Sequence, residues 1–197
     1  MKTLHLRRHS KKDGRIPQTI GPQGRSMAYD LGKSGKEDPG HIFHGIEVRT
    51  VQTAVYYCEG LGFIPVFHEP ILELGSAKLF DEMVNNQFKE NISQGLCNFD
   101  ALMNSGHTNE QMKTWGQFAL EGLKKMFNEM KPDETSIGFG YSPMIELAVW
   151  AQGDFQSPYE PHPSLTLGPL EGFKFIQNRN GLIYIWEKLT FTPPSDK

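Results

Sequence analysis

The sequence predicts an α/β fold: a three-layer αβα sandwich, with a mostly parallel central sheet and an antiparallel C-terminal hairpin at the sheet edge. Three observations predict it. Short strand-like runs alternate with helical periodicities for most of the length. Residues 108–130 carry one long apolar stripe at helical spacing. Residues 172–189 read as two strands turning at Asn180-Gly181, a strong short-range hairpin signal. A chain of 197 residues fits a single domain, 1–197, with a core of its own.

The elements follow in order. "TLHLRR" (3–8) alternates apolar and polar residues, as a short strand does, and runs directly into His9. "GPQGRSMAYDLG" (21–32) reads as a helix with Pro22 near its start and Gly32 at its end. "HIFHG" (41–45) is a short strand. A helix begins near Arg49, with Val51, Ala54, Val55, Cys58 and Leu61 on one face and Gly60 or Gly62 ending it. "IPVFHEP" (64–70) reads as a strand, and 76–91 as one amphipathic helix. Residues 92–107 show no clear period and read as irregular. In the long helix, Thr108 and Gln111 have capping-box spacing, and Met112, Trp115, Phe118, Ala119, Leu123, Met126 and Met130 form the stripe. "TSIGFGY" (135–141) is a strand. Ser142 and Pro143 suit the N-cap and first position of a helix reaching Ala151, with Gly153 stopping it. "SPYEPHPSLTLGP" is a proline-rich loop.

Composition narrows the function. Apolar residues make up 38% and charged residues 22%, as in ordinary globular proteins. A net charge of -3 argues against a general nucleic-acid binder. No run of about 18 apolar residues exists to span a membrane, and "MKTLHLRRHS" is too short in apolar residues for a signal peptide. Two cysteines, Cys58 and Cys97, make no disulfide framework and read as reduced cytosolic thiols. The expected compartment is therefore the cytoplasm. The His41-x-x-His44 pair has no further ligands at metal spacing, so no metal is expected.

Three segments carry residue types suited to phosphate chemistry. "RRHS" (7–10) puts a histidine at the end of the first strand beside an arginine. Arginine lowers the pKa of a neighbouring imidazole and grips phosphate oxygens with its planar fork. "GIEVRTVQTA" (45–54) places Arg49 at a helix N-terminus, which itself favours anions. "HEPILELGS" sets Glu73 before a small-residue turn, where a carboxyl group can act as a general acid if burial raises its pKa. Taken singly, each is better read as a surface cluster or a solvated side chain.

Together, and in this order, the segments resemble the histidine phosphatase superfamily, the phosphoglycerate mutase-like proteins. "LHLRRHS" is similar to its Arg-His-Gly signature, with Ser10 in the glycine's place. "GIEVRTVQTA" is similar to Ser-Pro-x-x-Arg-x-x-x-Thr-Ala, with Gly45 and Ile46 replacing Ser and Pro. "TIGPQGRSMAYDLG" resembles the helix between those motifs, "HEPILELG" the segment of the acidic proton donor, and "IGFGYSPMIELAVWA" the second-histidine segment. The resemblance covers roughly residues 3 to 152. It implies a phosphomonoesterase in which His9 carries the phosphoryl group as phosphohistidine. Arg8 and Arg49 hold the phosphoryl oxygens and Glu73 protonates the leaving group, without metal or cofactor. The implied partner is a phosphorylated small molecule or phosphoprotein, and residues 74–107 correspond to a possible substrate-facing insertion.

The departure is Tyr141, which stands where the family has its second histidine. A tyrosine offers one O–H donor and stays neutral at pH 7, so it supplies no imidazolium charge. Losing one oxyanion-type donor costs about 100- to 1,000-fold in rate. Tyr141 is open to three readings: a working substitute, the mark of an impaired site that binds phosphate, or a bystander with His162 reaching in. Lys11, Lys12 and Arg15 follow the nucleophile loop, either solvated or placed for a second anionic group. Trp150 and Phe139 read as core.

Overall fold

The computed structural model describes residues 1–16, 18–35, 38–64, 69–75, 77–152 and 165–192. Its centre is one five-stranded sheet. Strand β1 (Lys2–Arg8) pairs in parallel with β3 (Thr135–Gly140), and β3 in parallel with β2 (Ile42–His44). The hairpin of β4 (Gly172–Gln177) and β5 (Ile183–Leu189) joins the other side of β1 antiparallel, giving the order β2-β3-β1-β4-β5. Three parallel strands with an antiparallel hairpin at the edge match the expected architecture.

Helices cover both faces. On one lie α1 (Pro22–Ser34) and α2 (Val48–Leu61), packed with Ile42, Ile137 and Phe139 of the sheet. These two helices meet at backbone contact. A Cβ on Gly32 would sit 2.0 Å from the Tyr57 carbonyl oxygen, and one on Gly60 2.0 Å from that of Tyr29. Gly32 was expected to end α1. It serves this close approach instead, and the helix runs two residues further to the Gly35 cap. Gly62 ends α2 in the left-handed conformation, as its position suggests.

The opposite face is covered by α6 (Asn109–Glu129) and α7 (Met144–Gln152), over Leu4, Leu6, Phe43, Phe173 and Phe175. The Thr108–Gln111 capping box is formed in both directions, a device worth about 1 kcal/mol. Met112, Trp115, Ala119, Leu123, Met126 and Met130 are buried, with Phe118 partly so. Phe139 and Trp150 are core residues.

Between α2 and α6 the chain departs from expectation twice. The single helix read over 76–91 is two helices, α3 (Ala77–Met83) and α4 (Asn86–Ser93). Asn85 causes the break: its side chain accepts the Phe88 N–H at 2.8 Å as the N-cap of α4 and donates to Ser105 O. The stretch read as irregular contains α5 (Asn98–Met103), whose Phe99, Ala101 and Leu102 are buried. Asn91 stitches the two together by donating to Ala101 O and Asn104 O. Residues 65–68 of the expected strand 64–70, together with Gly153 and His162, lie outside the described residues. α7 begins at Met144, one residue after the Ser142-Pro143 pair, whose peptide bond is cis. No described helix is long and apolar enough to cross a membrane.

Candidate active site

The parallel strands end level with one another. Arg8 is the register partner of Gly140, and the His9 N–H donates to Gly140 O at 3.0 Å. This sets His9 and Tyr141 side by side, with ring centroids 5.6 Å apart. The loop after β2 is tied to the same level by Gly45 N–H to Phe139 O, 3.0 Å. The 3-10 turn Leu72–Leu74 is tied there by Tyr141 N–H to Leu74 O, 2.7 Å. All these groups stand at the carboxyl ends of the parallel strands, where open α/β sheets place their ligands.

His9 is almost wholly buried, with 1% of its surface exposed. Its Nδ1 lies 2.7 Å from Ser10 O. A carbonyl only accepts, so Nδ1 carries the proton and Nε2 keeps its lone pair. Nε2 is buried and has no hydrogen-bond partner. Burial first, then the charges of Arg49 and Arg8, hold the imidazole well below its usual pKa, with the Ser10 bond opposing. The result is a neutral, correctly tautomeric nitrogen, the form a nucleophile needs. Ser10, in place of a glycine, is accommodated without intruding. Its hydroxyl donates to Gly24 O at 2.6 Å and its N–H to Thr53 Oγ1 at 3.0 Å, joining the nucleophile loop to α1 and α2.

Arg49 occupies the first turn of α2, and its guanidinium carbon lies 4.4 Å from the centre of the Tyr141 ring. Arg8 donates through Nη1 to Leu167 O, so the segment entering β4 holds its fork. Tyr141 is buried, and burial raises its phenol pKa against the pull of Arg49 and Arg8. The phenol is therefore a neutral donor at pH 7. Opposite its Cβ stands Gly75, at φ +151°, where an added Cβ would fall 2.7 Å away. Only glycine fits there, in both space and conformation.

The structure thus brings Arg8, His9, Arg49 and Tyr141 together. Glu73 is placed differently. It is buried, but its carboxylate pairs with Lys125 of α6 and its Cβ packs toward Gly122. Its link to the site runs through Leu74 and Gly75, which touch Tyr141. Of the basic loop residues, Lys11 bonds Gln23 on the surface, whereas Lys12 leans over the Tyr141 ring. His41 pairs with Glu134 at 2.5 Å and His44 bonds Gly45 O at 2.9 Å, so this histidine pair serves two separate bonds.

Sequence reasoning missed Glu146, on α7 one turn beyond Tyr141. It is fully buried, accepts the Ser142 hydroxyl at 2.6 Å on Oε1, and leaves Oε2 without a partner. Burial pushes its pKa up to about 7, against Ser142 and the nearby Arg8 charge. The available signal was a lone carboxylate inside the apolar run "PMIELAVW". A carboxyl group with a raised folded pKa stabilises relative to the unfolded chain below its ordinary value of 4.5, and that contribution is lost as pH rises toward about 7. Glu146→Gln removes this loss. Its melting temperature relative to the native chain is expected to rise from near zero difference below pH 4.5 to a gain of roughly 6–12 °C at pH 8, from about 3 kcal/mol. A pH-independent difference in thermal melts would refute this account of Glu146.

No family model and no curated protein sequence matches the chain. Solved structures do. A phosphoserine phosphatase from Entamoeba histolytica, in complex with 3-phosphoglyceric acid, is similar at TM-score 0.67 and 16% identity, over 96% of this chain and 98% of that one. A mycobacterial glucosyl-3-phosphoglycerate phosphatase complexed with VO3 gives TM-score 0.66 and 12% identity, over 98% and 100%. A phosphoglycerate mutase from Bacillus anthracis gives 0.62 and 13%, over 95% and 92%. At these identities the likeness speaks to architecture, and over essentially the whole length the chain has the phosphoglycerate mutase-like fold.

Proposed function

We propose that this chain is a phosphomonoesterase of the histidine phosphatase superfamily, acting through a phosphohistidine on His9. The observation that carries the reading is the His9 imidazole itself. It is buried between two arginines, is fixed as the Nδ1–H tautomer, and leaves Nε2 without a partner. Nε2 attacks phosphorus and the ester oxygen leaves. Arg8 and Arg49 offset charge on the non-bridging oxygens during both transfer steps. Glu73 is assigned the proton for the leaving alkoxide; its Oε1 pairs with Lys125 and its Oε2 is buried without a partner. Water then attacks the phosphohistidine and releases inorganic phosphate. The fold neighbours named as phosphatases, one of them complexed with VO3, support a phosphoryl-transfer role. The substrate assigned is a phosphorylated small molecule or phosphoprotein.

A second reading rests on Tyr141. Its ring lies between Arg49 and His9, and His9, Tyr141 and Arg49 expose only 1%, 4% and 9% of their surfaces. A ring in that place favours a site that retains phosphate but turns over slowly. The two readings part in a trapping experiment. Native protein mixed with an aryl phosphate and quenched in base is expected to carry an acid-labile phosphoryl group on the peptide containing His9. Phosphate that raises the melting temperature, without any such adduct or product, would leave the binding-protein reading in its place.

A further inference from the structure

We propose that Lys12 is a third cationic ligand of the transferring phosphoryl group, supplying at this pocket the positive charge that Tyr141 does not carry. The inference rests on the phosphoryl-transfer reading above. Lys12 starts from a fixed point. Its backbone forms an antiparallel bridge with the fully buried Ile20, flanked by Asp13 N–H to Thr19 O at 2.9 Å and Gly21 N–H to Lys11 O at 3.3 Å. From there its ammonium reaches a point 6.0 Å from the centre of the Tyr141 ring, the ring that also carries Arg49 at 4.4 Å. Lys12 as a whole is exposed, and its ammonium lies on the side of the buried Tyr141 ring. Among the described residues that ammonium donates no hydrogen bond and meets no carboxylate.

Three like charges gathered at one buried ring repel one another unless an anion sits among them. Burial and then Arg49 and Arg8 pull the Lys12 pKa down to about 8, so it is still mostly protonated at pH 7. Arg8 faces Lys12 from β1, Arg49 from α2, and Tyr141 and the neutral His9 from the strand ends. Glu47, at the N-cap of α2, acts on the Tyr141 phenol, and Glu146 of α7 lies near Arg8. A phosphoryl group in transfer spreads charge over three equatorial oxygens. Arg8 at the end of β1, Lys12 in the loop that follows it and Arg49 on α2 offer one cation for each oxygen. Tyr141 can donate its O–H there but adds no charge.

The test is steady-state hydrolysis of 4-nitrophenyl phosphate from about pH 6 to pH 10 by the native chain, Lys12→Met and Lys12→Arg, each also combined with Tyr141→His. In the native chain kcat/KM is expected to fall above about pH 8, as free-enzyme Lys12 loses its proton. Lys12→Arg is expected to move that limb beyond the range measured, because a guanidinium stays charged. Lys12→Met is expected to lower kcat about 100-fold, and by less than about tenfold once a histidine stands at position 141. Unchanged kcat and an unchanged alkaline limb in Lys12→Met would overturn the assignment, while leaving His9-dependent hydrolysis intact. If native turnover is too slow to follow, inorganic phosphate affinity from thermal shift is the readout. A loss of about tenfold in Lys12→Met supports the assignment and no loss overturns it. Neither hydrolysis nor phosphate binding in the native chain would overturn both readings.

Discussion

Replacing His9 by alanine is expected to lower kcat for an aryl phosphate by about 10⁴- to 10⁶-fold, the scale on which enzymes lose their nucleophile. Inorganic phosphate affinity should change by less than about tenfold, because the charges that attract the anion sit on Arg8 and Arg49. The split follows from the geometry. His9 is neutral in the folded protein and offers phosphate a lone pair rather than a charge. Removing it deletes bond formation and leaves the electrostatics in place. Rapid-quench kinetics and phosphate titration by thermal shift measure the two effects separately. A His9→Ala protein retaining even a tenth of native turnover would show that the hydrolysis runs elsewhere.

The second large effect is expected in the opposite direction. Tyr141→His should raise kcat by about 100- to 1,000-fold, the usual worth of one well-placed donor to an oxyanion. The substitution keeps the Cβ that rests against Gly75, so the close contact there is unaltered. It shortens the ring that now fills the space between Arg49 and His9. An imidazole there can take up a proton when an anionic phosphoryl group is bound beside it, and so supply positive charge, which the phenol does not. Kinetics of the variant against the native chain at matched pH checks this. A fall in kcat would mean that the phenol hydroxyl is itself a competent ligand, fitted to this pocket, and that histidine is the poorer choice here.

Local pattern carried much of the fold. The stripe from Met112 to Met130, the capping box at Thr108 and the Asn180-Gly181 turn each state a local geometry that packing merely endorses. The break at Asn85 was not legible because amphipathic spacing runs through it. What decides it is a side chain reaching Ser105, twenty positions away. The helix at 98–103 was hidden for a similar reason, being short and held by Asn91 from the preceding helix. At the site, Arg8, His9, Arg49 and Tyr141 were legible through the resemblance of their segments taken together, and not singly; strand ends then deliver such neighbours to one rim. The partner of Glu73 and the environment of Glu146 were not readable. Both depend on which face of one helix meets which turn of another, and no local spacing encodes that.

The parallel pairing of β1 with β3 joins Thr3 to Thr135 and Arg8 to Gly140 across most of the chain. Such a pairing closes a very long loop before it returns any contact energy, so it belongs to the slow class of folding events. Everything that would grip a phosphate hangs on that closure, because His9 and Tyr141 become neighbours only when the two strands align. A fragment ending before residue 135 keeps Arg8, Lys12 and Arg49 but lacks the strand that aligns β1 with β2 and sets them around one anion. Appearance of phosphate affinity during refolding therefore marks the moment β1 and β3 find each other, which makes a small inorganic ion a reporter of long-range topology.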